Sequence, residues 1–102
     1  MNFEWDEQKN QAHIQKHGLD FFDAWEIFES PILELPDMRQ DYDEDRYVGI
    51  GILRNRIAVV VFTERIGDTI RIISLRKAVR HERYRFFKYI QDELGTSGDD
   101  GG

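Results

Sequence analysis

Between residues 46 and 75 the chain reads RYVGIGILRNRIAVVVFTERIGDTIRIISL, and this stretch constrains the fold more than any other. Three runs, 46–53, 57–64 and 69–75, are dense in β-branched residues, which pack well on a pleated, half-buried surface. Only Arg54-Asn55-Arg56 and Arg65-Ile66-Gly67-Asp68 separate them. Connections that short join antiparallel neighbours and cannot make a parallel crossover, so an antiparallel meander is predicted. The nearly unbroken apolar run from Ile57 to Phe62 suits a central strand covered on both faces. Residues 32–35 read as a further short strand, ahead of the polar loop PDMRQDYDED.

Helices flank this sheet. Asp6 is placed to cap a helix over 7–16, with Gly18 as its left-handed terminator and His17 in its last turn. A second helix over 20–29 starts at Asp20, carries Asp23 at the capping-box position and stops before Pro31. Ahead of both, Phe3 and Trp5 alternate with polar neighbours, the pattern of a short edge strand or an anchoring arm. Val79, Arg83, Phe86, Phe87, Ile90 and Leu94 recur at helical spacing, and Gly95 is expected to end that third helix. Residues 95–102, GTSGDDGG, are expected to form a disordered Gly/Asp-rich tail. A chain of 102 residues has room for one core. The expectation is therefore a single α+β domain over 1–94: an antiparallel four- to five-stranded sheet, two N-terminal helices and one C-terminal helix.

Charge is unevenly distributed along the chain. The formal net charge is −6. Residues 1–53 hold four Lys/Arg against thirteen Asp/Glu, residues 54–88 ten against three, and residues 89–102 none against four. The middle segment is thus a local cationic surplus, which is either the footprint of a polyanion or a solvated helix face. No cysteine is present, which removes disulfides, thiolate catalysis and Cys-based metal sites and fits a reducing compartment. No apolar run approaches the ~20 residues needed to span a bilayer, and no signal-like segment opens the chain. A cytoplasmic location without membrane association is the expectation.

Several chemistries drop out on motif grounds. Gly49 and Gly51 lie within a strand pattern and form no phosphate-binding loop, so no nucleotide cofactor is expected. His13 and His17 have the i, i+4 spacing of metal ligands, but no third ligand follows at a motif spacing, and no metal site is expected. Phosphodiester cleavage remains. Cutting RNA without a metal needs a base for the 2′-hydroxyl, an acid for the leaving 5′-oxygen and fixed cations for the phosphorane. Lys16, His17, Glu64, Arg65, Arg71, Arg76 and Lys77 are residue types suited to those roles. A helix C-terminus favours the imidazolium, so the expected pKa of His17 is raised. The bland alternative is that Glu64 and Arg71 form a cross-strand ion pair and His17 simply ends a helix.

Five ordered strings bear on that choice: FEWDEQKN at 3–10, KHG at 16–18, the DFFDA start of the second helix, VVVFTER at 59–65, and IRIISLRKA with HER through residue 83. In series they resemble the BrnT family of toxins from type II toxin–antitoxin systems. The resemblance implies a RelE-like fold and a metal-independent endoribonuclease that arrests growth by cutting RNA to 2′,3′-cyclic phosphate ends. It also implies a BrnA-type ribbon-helix-helix antitoxin that neutralises the toxin in a heterotetramer and reaches operator DNA through its own domain. Carried over position by position, it points to His17 or Glu64 for proton transfer and to Arg65, Arg76 and Lys77 for the scissile phosphate. Lys16, Arg71, Arg80 and Arg83 would bind RNA. Val79 departs from the small hydroxyl residue usual in the family at the third helix's cap, a loss of about 1 kcal/mol where nothing compensates. The rival class is a non-catalytic module that uses the same basic face to bind an acidic partner or nucleic acid.

Overall fold

The computed structural model describes residues 1–39 and 43–99, with 94–99 described by backbone alone. Its elements are β1 (Asn2–Glu4), α1 (Glu7–His17), a 3-10 turn (Phe21–Ala24) leading into α2 (Trp25–Glu29), β2 (Leu33–Pro36), β3 (Tyr47–Leu53), β4 (Arg56–Arg65), β5 (Thr69–Lys77) and α3 (Arg80–Asp99). The five strands form one sheet in the order β1-β5-β4-β3-β2. Strands β3 to β5 are the predicted antiparallel meander, and β2 adds to it antiparallel along β3.

The sheet as a whole is mixed, which corrects the antiparallel expectation. Strand β1 lies parallel to β5, pairing Asn2 with Thr69, Phe3 with Ile70 and Glu4 with Arg71. The meander's order is dictated by its short turns. Nothing comparable ties β1 to its partner, because most of the chain runs between them, and alternation alone reports a strand without saying what it pairs with.

Both hairpins owe their geometry to the turn residues. Leu53 and Arg56 face each other across Arg54 and Asn55, both at positive φ (49° and 68°), a two-residue turn whose twist matches the strands it joins. Between β4 and β5, Gly67 and Asp68 take φ of 84° and 58°. Asp68 also accepts the N-terminal ammonium at 3.2 Å, which anchors the entry to β1.

Alternation along β4 divides the core. Ala58, Val60 and Phe62 face a cluster with Phe21, Ala24, Ile27, Leu53, Ile72 and Leu75 beneath the N-terminal helices. Val59 faces Ile50, Ala78 and Phe86 beneath α3. The central strand is covered on both faces, as its apolar run predicts. On the first face α2 lies so close to β3 that a Cβ on Gly51 would stand 2.8 Å from Ile27 Cγ2 and 3.3 Å from the Ile27 carbonyl oxygen. Ser30 closes the same junction: its hydroxyl donates to Ile27 O at 2.7 Å and accepts Ile52 N–H at 3.1 Å, where β2 no longer pairs with β3.

Asn10 fixes α1 to the turn that follows it. Its amide donates to Asp20 Oδ1 at 2.9 Å and its carbonyl accepts Phe21 N–H at 2.8 Å, although the residue is only 2% exposed. The predicted second helix begins as a 3-10 turn capped by Asp20, which accepts Phe22 N–H, whereas α2 proper starts at Trp25 with Ala24 at its N-cap and no side-chain cap. Helix α3 runs past Gly95, where the sequence reading ends it, to Asp99. An interior glycine costs a helix only about 1 kcal/mol and stops it only by adopting the left-handed cap. The expected tail lies outside the described residues from 100 onward, as do residues 40–42 of the loop before β3. Among the described residues no helix is long and apolar enough to cross a membrane.

Candidate active site

Strand β5 carries most of the candidate cations, and its register decides which of them meet. Ile70, Ile72, Leu75 and Lys77 pair with Glu64, Phe62, Val60 and Ala58; Thr69, Arg71, Ser74 and Arg76 pair with Arg65, Thr63, Val61 and Val59. Paired residues share a face and consecutive ones do not. Glu64 and Arg71 therefore leave opposite faces, and neither the shared rim nor the cross-strand ion pair expected of them forms. Arg71 donates instead to Glu4 Oε2 at 2.9 Å, the contact set by the parallel pairing of β1. Arg65 approaches Glu4 at 3.9 Å and Glu44 at 3.5 Å. A cavity of about 610 Å³ at this end is lined by Glu44, Asp45, Thr63, Glu64 and Arg65.

The other end of β5 holds a different group. From Thr69, opposite Arg65, to Arg76 is seven residues, roughly 23 Å of strand. Glu64 and Arg65 are thus not brought to Arg76 and Lys77. Arg76 is clamped by Glu82 through two parallel bonds of 2.8 Å, and also donates to Lys77 O at 3.3 Å. Glu82 Oε1 accepts Val79 N–H at 2.9 Å as well, so the acid half of the capping box is made even though Val79 contributes no hydroxyl. The bonds from Arg76 hold the Glu82 carboxyl below the usual range against the opposing effect of burial, and the same bonds keep Arg76 protonated more firmly still. Arg39, itself bidentate on the buried Asp37 with both bonds at 2.8 Å, adds positive charge near Arg76.

Helix α1 packs along β5, and His17 at its end lies within the positive field of Arg76. Its C-terminal turn closes as predicted, with Gly18 at φ 71° donating to Ile14 O at 2.8 Å. The pKa of His17 nevertheless moves down, contrary to the expectation from the helix end. Burial of the half-exposed ring is the largest cause, and the positive fields of His13, Lys16 and Arg76 follow. A partial charge at a helix terminus is outweighed here by full charges and lost hydration. His13 meets His17 with ring centroids 5.5 Å apart and places Nδ1 3.0 Å from Lys9 O. Among the described residues no group of three or more His, Asp or Glu side chains could hold a metal ion.

The remaining candidates spread outward from Arg76. Lys16, Lys77 and Arg80 are exposed, and Arg83 folds back to donate to Ala78 O at 3.0 Å. The arrangement sets an imidazole of lowered pKa in the positive field of an oriented guanidinium, residue types that suit deprotonating a hydroxyl near a bound phosphate. Sequence reasoning missed Glu82 as the residue that orients Arg76. Its signal was present, since it is the only acid in the basic run 71–88. Arg39 and Asp37 gave no signal, because they lie in a polar loop far away in sequence.

Comparison with known proteins bears on the same residues. The family described as "Ribonuclease toxin, BrnT, of type II toxin-antitoxin system" matches residues 5–82, a span that includes His17, Arg76 and Glu82. The crystal structure of the Brucella abortus ribonuclease toxin BrnT, at 1.1 Å resolution, superposes with a TM-score of 0.60 at 33% identity, covering 78% of this chain and 99% of that one. A search of curated proteins returns no match. With most of its length matched in sequence and its fold matched by a toxin 33% identical to it, this chain belongs to the BrnT family of ribonuclease toxins of type II toxin–antitoxin systems.

Proposed function

We propose that this chain is a metal-independent endoribonuclease in which His17 is the general base and Arg76 the principal phosphate ligand. Membership in the family supplies RNA as the substrate and an antitoxin as the partner. The observation that carries the role assignment is the pKa of His17, lowered by burial and by positive charges that include Arg76. An imidazole that is neutral near pH 7 accepts the 2′-hydroxyl proton; the 2′-oxygen then attacks phosphorus, and the bond from phosphorus to the 5′-oxygen breaks. Solvent at this open site protonates the departing 5′-oxygen, leaving a 2′,3′-cyclic phosphate and a 5′-hydroxyl. Arg76, held in one orientation by Glu82, compensates the charge that builds on the phosphorane, and the exposed Lys16 and Lys77 add to the positive field at this end of β5. Arg80 and Arg83 extend the cationic track along the RNA backbone. Glu64, Arg65 and Arg71 lie at the far end of β5 and have no part in this step.

We further infer a RelE-like scaffold, a cytoplasmic toxin that arrests growth, and neutralisation by a BrnA-type ribbon-helix-helix antitoxin in a heterotetramer whose antitoxin contacts operator DNA. The α+β arrangement with a cationic site at one end of a sheet supports that reading. The test is incubation of purified protein with RNA in EDTA. The expected result is fragments with cyclic phosphate ends, and kcat/KM whose ascending limb lies below the ordinary histidine range. His17→Ala should reduce kcat by about 10²-fold or more with little change in RNA affinity. Intact RNA under these conditions, or an unaltered pH profile in His17→Ala, refutes the assignment.

A further inference from the structure

Helix α3 uses little of its surface to dock. Phe86 enters the core at 1% exposure, but Phe87 beside it is 58% exposed, and Val79 and Tyr84 are 48% and 67% exposed. Between this uncovered side of α3 and the β3–β4 hairpin lies a groove of about 740 Å³. Its floor is apolar: Ile52 and Ile57 are cross-strand partners, Ala78 is pinned to β4 by its N–H on Ile57 O at 3.0 Å, and Phe87 closes the side. Its rim is cationic, formed by Arg56, Lys77 and Arg83, and among the described residues no carboxylate lines it. In a chain of net charge −6 this combination of apolar floor and positive rim is a local exception.

We propose that this groove is the docking site of the antitoxin, and that the segment it receives is an acidic amphipathic helix. The inference rests on the family reading, which supplies the partner but not the surface. Charge complementarity selects the occupant: three cations around the floor favour Asp and Glu flanking the apolar anchors of a helix, which seat at i, i+3 and i+4 spacing. The floor argues against RNA. Two isoleucines and an alanine offer aliphatic contact, whereas single-stranded bases need flat aromatic faces, and only Phe87 in the groove is one. A helix seated here would also lie across Lys77 and Arg83, so it would cover part of the cationic track while leaving His17 untouched. Inhibition would then act on RNA binding first.

The test uses full-length toxin and the antitoxin encoded beside it, co-expressed and then titrated as purified proteins. Phe87→Ala and the rim reversal Arg56→Glu should each weaken the complex about tenfold or more, and Arg56→Glu should also flatten its salt dependence. The ribonuclease rate of the free toxin should stay unchanged in both, and Phe22→Ala, an exposed ring that stacks on Trp5 away from the groove, should bind like wild type. Amide exchange should show protection of 52–57 and 77–87 in the complex. Both variants binding normally, or protection confined to another face, overturns the proposal. So does loss of RNA cleavage in Phe87→Ala with intact antitoxin binding, which would make the groove an RNA surface. A toxin dimer that Phe87→Ala abolishes would equally overturn it, by making the groove a self-interface. If the wild-type toxin binds no product of the adjacent gene, the partner and the surface fall together; a complex that tolerates both variants removes the surface alone.

Discussion

Glu82 makes three described hydrogen bonds at once, and their removal has a magnitude that can be worked out. Two bind Arg76 and one closes the first turn of α3. Loss of an N-terminal cap bond costs about 1 kcal/mol. The ion pair is bidentate, but Arg76 remains 37% exposed against 15% for Glu82, so solvent screening holds its share to about 1 kcal/mol. Glu82→Ala should therefore destabilise the fold by about 2 kcal/mol, which for a domain of this size is roughly 8–16 °C in Tm. Urea unfolding of wild type, Arg76→Gln, Glu82→Gln and the double variant isolates the pair, with an expected coupling near 1 kcal/mol. The coupling should depend on pH in a defined direction. Glu82 has a depressed pKa, so its contribution is full above the ordinary carboxylate range, persists somewhat below it, and vanishes as pH falls through the lowered value. A Glu82→Ala protein within 0.5 kcal/mol of wild type, or a coupling independent of pH between 3 and 7, refutes the reasoning (thresholds of about the error of such measurements).

Two other substitutions test the scaffold. Asn10→Leu leaves the Phe21 N–H without its acceptor in a site that excludes water, and should cost about 2–3 kcal/mol by urea unfolding; a neutral result would mean that α1 is not fastened through Asn10. Gly51→Ala inserts a methyl group against the rigid γ-carbon and backbone of Ile27, and should cost about 1–3 kcal/mol; a gain in stability by the same measurement would show that α2 can retreat from β3.

The meander was legible because its evidence is local. β-Branched runs and turns of two or three residues fix neighbour and direction together, as the positive φ angles of Arg54 and Asn55 illustrate. Strand β1 was legible only as alternation in Phe3 and Trp5, since its partner lies far along the chain. At the site, residue types were readable and their grouping was not. Moving one position along a strand reverses the face, so the relation of Glu64 to Arg71 turned on a register that includes an irregularity between Val61 and Phe62. His17 was found by position, but the direction of its pKa depended first on burial and then on the charges of His13, Lys16 and Arg76, and neither the burial nor the nearness of Arg76 is readable from local sequence. Asn10 looks like an ordinary polar residue of a surface helix until its two partners are seen.

The parallel seam between β1 and β5 joins residues 67 positions apart through Glu4 and Arg71. During synthesis the first strand and α1 emerge early, yet the strand they complete is made only after β2, β3 and β4. His17 can have no Arg76 beside it until then. On the roles proposed above, a chain stalled before β5 would carry His17 without Arg76 and should show no nuclease activity until that strand is made.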